Sequence, residues 1–487
     1  MNNSFSRIAW SACALGLMTA SYAAAQPNPT LPLLAVGTLD GSAAGYFTDL
    51  SGLKYPLENG VAANLLGGFG SAIAYANGYT FLALPDRGPN AVPFNAAIDN
   101  TASYVNRFHT ITMDLEPNTS GAVLPPYSLN LPYKLTPTLR ATTLLWSLTP
   151  LVYGSGTGLD VPSGKPPINN FFQHFFTGRS DNFDPNQNSG DPADARFDTE
   201  GMRLSNDGLR VYISDEYGPY VYEFDRLTGV RLRSFQLPSS FFVTTLSPVG
   251  ATEISDNTSG RTANKGMEGL AITPDGTTLV GIMQDALIQD ANEATKANPA
   301  PGNLLRIVTI DIASGHVTHQ YAYLLTNGSG VSEICAINSH ELLVDERDGK
   351  GREGASDGSS NAAVNKQLFK IDLNGATDVS GMDGITAATH AVNKSMFVDL
   401  VLSLTNLGIN PKDIPAKIEG VAIGPDIKQN GQTMHTLWIA NDNDFLTETA
   451  DSPPKLNDND FFVFGFTDAD LKGSQLVPQD FREFFFF

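Results

Sequence analysis

One pattern of residues recurs along the chain and restricts its fold more than anything else. "TEGMRLSNDGLRVYISDE", from Thr199 to Glu216, places a glutamate and a glycine before an apolar alternation, turns at Asp207 and Gly208, and ends a second alternation on acids. It returns as "MEGLAITPDGTTLVGIMQDA" from Met267 and, with a longer turn, as "KIEGVAIGPDIKQNGQTMHTLWIANDND" from Lys417. "VSEICAINSHELLVDERDG" from Val331 keeps Glu333 but not the glycine after it, and "GGFGSAIAYANGYTFLALPDRG" from Gly67 is a first copy without the glutamate. Each copy is followed by another strand-like run: "FHTITMDL", "VYEFDRLTG", "RIVTIDIASG", "LFKIDLNG" and "FFVFGF". Short alternating runs punctuated by Asp-Gly, Asn-Gly and Ser-Gly are the signature of an all-β repeat protein. A β-propeller fits best. With blades of about 40 to 50 residues, the chain of 487 residues accommodates six or seven, with insertions. A pair of β-sandwiches is the alternative.

The repeat also places chemistry. In a hairpin the start of the first strand and the end of the second lie at the same end. Glu200 therefore stands beside Asp215 and Glu216, Glu268 beside Gln284 and Asp285, Glu333 beside Asp345 and Glu346, and Glu419 beside Asn441 and Asp442. Radial blades turn all of these ends toward one rim of the channel, so a ring of oxygen ligands is expected there. Carboxylates gathered in this way repel unless a cation, protons or basic side chains compensate, and a hard cation such as calcium suits an all-oxygen site. Taken singly, each acid has an ordinary alternative as a turn residue that accepts backbone hydrogen bonds. Arg87 in "PDRGPN", Lys265 beside Glu268, Arg347 in "DERDG" and Arg352 just beyond it are the candidate partners of an anionic substrate group. Acid and base interleaved at one mouth suit cation-assisted phosphoester hydrolysis, the cation polarising the phosphoryl oxygen and activating water.

Charge and flanking segments narrow the setting. A net charge of −21 argues against nucleic acid as a partner. Arg7, the apolar run from Ile8 to Met18 and the triplet Ala23, Ala24, Ala25 read as a secretory leader cleaved after Ala25, leaving a mature domain from 26 to 487. The expected location is periplasmic or extracellular. No later apolar run approaches the roughly 20 residues of a spanning helix. Cleavage removes Cys13 and leaves Cys335 as a lone thiol in an apolar run, with no disulfide. Text rich in Pro, Gly and polar residues between about 124 and 196 reads as an insertion over one face. The stretch from 383 to 407 has helical character, and "REFFFF" at the end carries no assignment. "GASDG" from Gly354 lacks the strand and helix of a nucleophile elbow. "DPNQNSGD" from Asp184 has Ser189 where a calcium loop turns on glycine.

Together "FDTEGM", "ISDEYGPYVYEFD", "NKGMEGLAI", "VDERDG", "KIEGVAI" and "LWIANDND" resemble the phytase-like family, also labelled esterase-like activity of phytase, over about Gly67 to Leu471. The resemblance implies a propeller-like domain rich in recurring Glu and Asp, and hydrolysis of phosphoesters or carboxyl esters. It marks Glu200, Asp215, Glu216, Glu268, Glu333, Asp345, Glu346, Glu419 and Asp442 as a site neighbourhood without giving them individual roles. A secreted, calcium-dependent phosphoester hydrolase is the leading expectation. A metal-dependent lactone or carboxylic ester hydrolase and a non-catalytic, calcium-stabilised binding propeller are its competitors.

Overall fold

The computed structural model describes residues 28–39, 48–89, 95–99, 101–291, 303–326, 328, 330–429 and 431–481. The proposed leader and the terminal "REFFFF" lie outside the described residues. The chain forms a five-bladed β-propeller, each blade an antiparallel sheet built outward from the channel. Blade 1 comprises Ala72–Asn77, Thr80–Leu84, Arg107–Pro117 and Tyr133–Leu144. Blade 2 comprises Thr199–Leu204, Arg210–Asp215, Tyr220–Asp225 and Arg231–Gln236. Blade 3 uses Met267–Ile272, Thr278–Met283, Leu304–Asp311 and Val317–Leu324. Blade 4 uses Gly330–Ala336, Glu341–Arg347, Lys366–Asp372 and Lys394–Asp399. In blade 5, Lys417–Ile423, Gln432–Asp442 and Asn459–Phe466 are completed by the N-terminal strand Leu33–Leu39, which pairs antiparallel with Asn459–Phe466 and closes the ring.

Five apolar cores, one between each pair of neighbouring blades, hold the ring together. Phe81, Trp438 and Phe461 fill the seam between blades 5 and 1. Met202, Tyr222 and Phe108 fill the next seam, and Leu270, Phe235 and Met283 the one after. Ile282, Ile334 and Val344 join blades 3 and 4, and Leu343, Ile439 and Phe464 join blades 4 and 5. The recurring glycine follows from this closeness. A Cβ on Gly201 would lie 2.5 Å from the Leu270 nitrogen of the next blade, and one on Gly269 would lie 2.8 Å from the Ile334 nitrogen.

Three expectations are corrected. The ring has five blades, not six or seven, because insertions take up the surplus length: residues 145 to 198 separate the fourth strand of blade 1 from blade 2. Part of the stretch read as irregular, Tyr133–Leu144, is that fourth strand. Pro137 disguises it, and an outer strand tolerates proline because one of its edges needs no ladder donor. The stretch from 383 to 407 is not helical throughout: short helices at Gly384–Ala388 and Leu400–Thr405 flank the outer strand of blade 4, and Asp399 caps the second by accepting from the Leu402 nitrogen.

Gly201→Ala should lower stability by about 1–3 kcal/mol through overpacking of adjacent blades. Gly381→Ala, whose Cβ meets nothing within 4 Å, should stay within about 0.5 kcal/mol of the parent. Urea midpoints of the two variants measure the difference, and equal midpoints would contradict the packing account.

Candidate functional site

Strand register makes the five blades equivalent. Ile73 faces Ala83, Met202 faces Ile213, Leu270 faces Gly281, Ile334 faces Val344, and Val421 faces Ile439. Two residues before the first member of each pair stand Ser71, Glu200, Glu268, Ser332 and Glu419; three residues after the second stand Asp86, Glu216, Gln284, Arg347 and Asp442. These two sets form the rim at one end of the channel. In blades 2 to 5 the ladder register shifts at the first set, which are bulge residues, and a bulge re-aims its side chain.

Blade 4 is one residue out of step with the apparent repeat. Glu333 occupies the place of Gly201, Gly269 and Gly420, and Ser332 occupies the place of the glutamates. Since a shift of one residue reverses the side a strand residue faces, Glu333 turns away from the rim. It pairs with Arg203 at 3.0 Å and accepts from the Leu270 and Ile334 nitrogens. The same offset puts Arg347, not an acid, on the rim, where its Nε donates to Ser332 Oγ at 2.6 Å and its guanidinium pairs with Glu419.

The remaining acids form an arc over blades 5, 1, 2 and 3. Three sets have ligand atoms within 4.8 Å of one another: Asp86, Asp442 and Asp444; Asp86, Asp198 and Glu200; Glu200, Glu216 and Glu268. Sharing Asp86 and Glu200 makes them one continuous acidic surface. Arg87 pairs with Asp198 at 2.5 Å and donates to Asn264; Lys417 bonds Asp442 at 3.0 Å and Asp444 at 2.5 Å. Lys265 forms no ion pair among the described residues, yet its charge acts on Glu216 and Asp285.

Burial dominates the electrostatics. Glu200 and Asp86 are 7% exposed and the other triplet acids less, apart from the half-buried Asp444. Desolvation, reinforced by neighbouring acids, holds the carboxyls of Glu200 and Glu216 well above the usual range. Burial, reinforced by Glu419, pushes Glu268 up to about 7. Burial also raises Glu419 to about 7 and Asp86, Asp198 and Asp442 to about 6, outweighing Arg347, Arg87 and Lys417. The Lys417 ammonium keeps Asp444 below its ordinary value despite burial.

Hard oxygen donors without sulfur, in nests of this size, fit a cation such as calcium or magnesium. Buried oxygens without a hydrogen-bond partner stand at or beside the rim: Ser71 Oγ, Asp198 Oδ1, Glu268 Oε2 and Gln284 Oε1. Non-glycine residues with positive φ also gather at this mouth: Asn264 at 57°, Asp444 at 50° and Phe445 at 59°. Glu353, at 62° and pushed up to about 9 by burial and then by Asp444 and Asp442, accompanies them. Such backbone strain concentrates at functional sites.

The other expected residues lie elsewhere. Asp215, one position behind the rim, accepts from the backbone nitrogens of Asp198, Tyr217 and Gly218. Asp285, behind Gln284, accepts from the Ala286 nitrogen. Asp345 is buried behind Arg347, with neither carboxyl oxygen partnered. Glu346 faces between sheets, accepting from the Tyr323 hydroxyl at 2.5 Å and pairing with Lys394. Arg352 braces blade 5 through Asn457 and Asp460, both at 2.9 Å. Conversely, Asp86, Asp198, Lys417, Asp444 and Glu353 were not singled out from the sequence. Asp86 lies just after the second strand of the first copy, in "LPDRG", where the other copies carry their acids.

A family model described as phytase-like, esterase-like activity of phytase, matches residues 64–445. A protein of Arthroderma benhamiae, named only as an uncharacterized secreted protein, is 27% identical over 80% of this chain and 84% of its own. Among solved structures, Myxococcus xanthus glutaminyl cyclase aligns at a TM-score of 0.31 and 7% identity, covering 90% of this chain and 100% of that one. The Dos1 propeller aligns at 0.28 and 8% identity, covering 94% and 96%. At these scores neither structure bears on chemistry.

Without added cation, the raised carboxyls at the rim favour the folded chain while protonated. Their contribution is complete below the unfolded values near about 4 and is lost as pH climbs through about 6 to 7. The thermal midpoint measured in chelator should therefore fall between about pH 4.5 and about pH 7.5, and Glu268→Gln should flatten the fall. A midpoint that rises across this window would contradict the assignment.

Proposed function

The chain belongs to the phytase-like family, and from that membership we propose that it is a secreted, cation-dependent phosphoester hydrolase whose site is the acidic rim. The observation that carries this reading is the set of three carboxylate nests sharing Asp86 and Glu200, bordered by Arg87, Lys265, Arg347 and Lys417. Export is supported by the name of the fungal relative, and no described helix is long and apolar enough to cross a membrane.

Asp86, Asp198, Glu200, Glu216, Glu268, Asp442 and Asp444 would hold the cation or cations. A bound divalent cation supplies neutralisation of phosphoryl charge and acidification of water. The chain's own residues do the rest. Arg87 and Arg347, on opposite sides of the acidic arc, and Lys265 beside it orient the phosphoryl group. Glu268 also suits the role of general base, because its Oε2 is unpartnered and leaves one oxygen to accept a proton. Asp215 ties Asp198 to the turn at Tyr217 and Gly218. Asp345 and Glu333 lie deeper and serve the site through Arg347 and Arg203.

A second reading, a non-catalytic propeller stabilised by calcium, draws on a different observation. The acids are almost wholly buried, whereas a cavity of about 480 Å³ lies at the opposite end of the channel.

Phosphomonoester, phosphodiester, carboxyl ester and lactone panels separate the readings. Calcium-dependent phosphate release, abolished by chelator and lowered in kcat/KM by about 100-fold or more in Glu268→Gln, is the expected result. Turnover confined to carboxyl esters or lactones would replace the phosphoester reading. No turnover, with a calcium-raised thermal midpoint, would leave the binding propeller.

A further inference from the structure

One buried ion pair touches the innermost strand of every blade. Arg203 donates to the carbonyls of Ile73 at 3.3 Å in blade 1, Met202 at 2.6 Å in blade 2, Ile334 at 2.8 Å in blade 4 and Val421 at 3.2 Å in blade 5. Its partner Glu333 accepts from the Leu270 nitrogen of blade 3 at 3.0 Å. Every one of these peptide groups belongs to the residue two positions after a rim residue: Ser71, Glu200, Glu268, Ser332 and Glu419. A single planar guanidinium and one carboxylate thus fix five strands at the same height, directly beneath the rim.

We infer that Arg203 and Glu333 are positioning residues that set the spacing of the rim carboxylates and hence its cation affinity. The inference rests on reading the rim as a cation site. Cation nests demand ligand placement within a few tenths of an ångström, and here the placing element is the backbone two residues away. Lysine in place of Arg203 keeps the charge opposite Glu333 but, as a compact ammonium with three donors, cannot reproduce the planar fork that reaches four carbonyls. Removing both members with unbranched apolar side chains leaves no unpaired charge but orphans the backbone groups of Ile73, Leu270, Ile334 and Val421. Stability, read in chelator, and cation affinity, read with calcium, are therefore measured separately on each folded variant.

The test uses the mature chain, calcium alone as the probe, calorimetric titration for affinity and scanning calorimetry in chelator for stability. Arg203→Met with Glu333→Met should lower the chelator-state midpoint, because buried backbone groups lose their partners, and weaken calcium binding by about 10- to 100-fold. Arg203→Lys should weaken it in the same direction and serves as the deciding variant if the double replacement does not fold. Parental calcium affinity in a folded variant overturns the inference while leaving the rim as a cation site. A parent that binds no calcium overturns the reading of the rim and the inference with it.

Discussion

The Arg203–Glu333 pair is the constraint on which the rest of the molecule depends. Burying two charges in a propeller channel carries a desolvation cost that Coulomb attraction alone rarely offsets. Here the cost is met by saturation: the guanidinium reaches four backbone carbonyls besides Glu333, and the carboxylate accepts two backbone amides. Those backbone groups lie on the inward edges of innermost strands, where no further strand can pair with them. One ion pair therefore satisfies polar groups that a purely apolar channel would leave orphaned. The repeating glycines belong to the same constraint, because only without a Cβ do Gly201 and Gly269 allow adjacent strands to come close enough for one side chain to span them.

Above this crosspiece the physics runs the other way. The rim acids repel one another, and burial raises their pKa values rather than satisfying them. Stability is concentrated in the apolar seams between blades, which is what permits a strained and under-compensated rim at the end of the channel. Positive φ at Asn264, Asp444 and Phe445 marks the same mouth. A like arrangement at the opposite end is absent among the described residues. There the channel opens into the cavity lined by Ile73, Leu204, Cys335 and Ile423, and the C-terminal segment crosses it, with Gln479 bonded to the Leu204 carbonyl at 2.7 Å.

Much of this was legible in the sequence, and the limits have physical causes. Alternation, turn residues and the runs after each hairpin mark the first three strands of every blade, because many of those runs end at Asp-Gly, Asn-Gly or Ser-Gly turns. Outer strands escaped where burial pattern and proline masked them, as in Tyr133–Leu144, or where a helix cap abuts the strand, as at Asp399. Glu200, Glu268 and Glu419 share one position because their bulges sit at the same register, whereas Asp215 and Asp285 lie one residue behind the rim. Blade 4 is offset by one residue: Glu333 and Glu346 look like repeat members in the sequence, whereas pairing puts Ser332 and Arg347 in those positions. Asp86 and Asp198 carry no Glu-Gly signature, so the repeat pattern does not mark them.

The offset in blade 4 also gives the rim its polarity. Five equivalent acidic positions would create a symmetric well suited only to holding cations. With Ser332 and Arg347 replacing two acids, and with Arg87 reaching in from blade 1, the acidic arc meets fixed positive charge on more than one side. A cation drawn to the arc then lies within reach of an anionic group drawn to the arginines. On the proposed reading, this asymmetry suits a ligand that would bring a negative group to a cation held by the arc, as a phosphoester would.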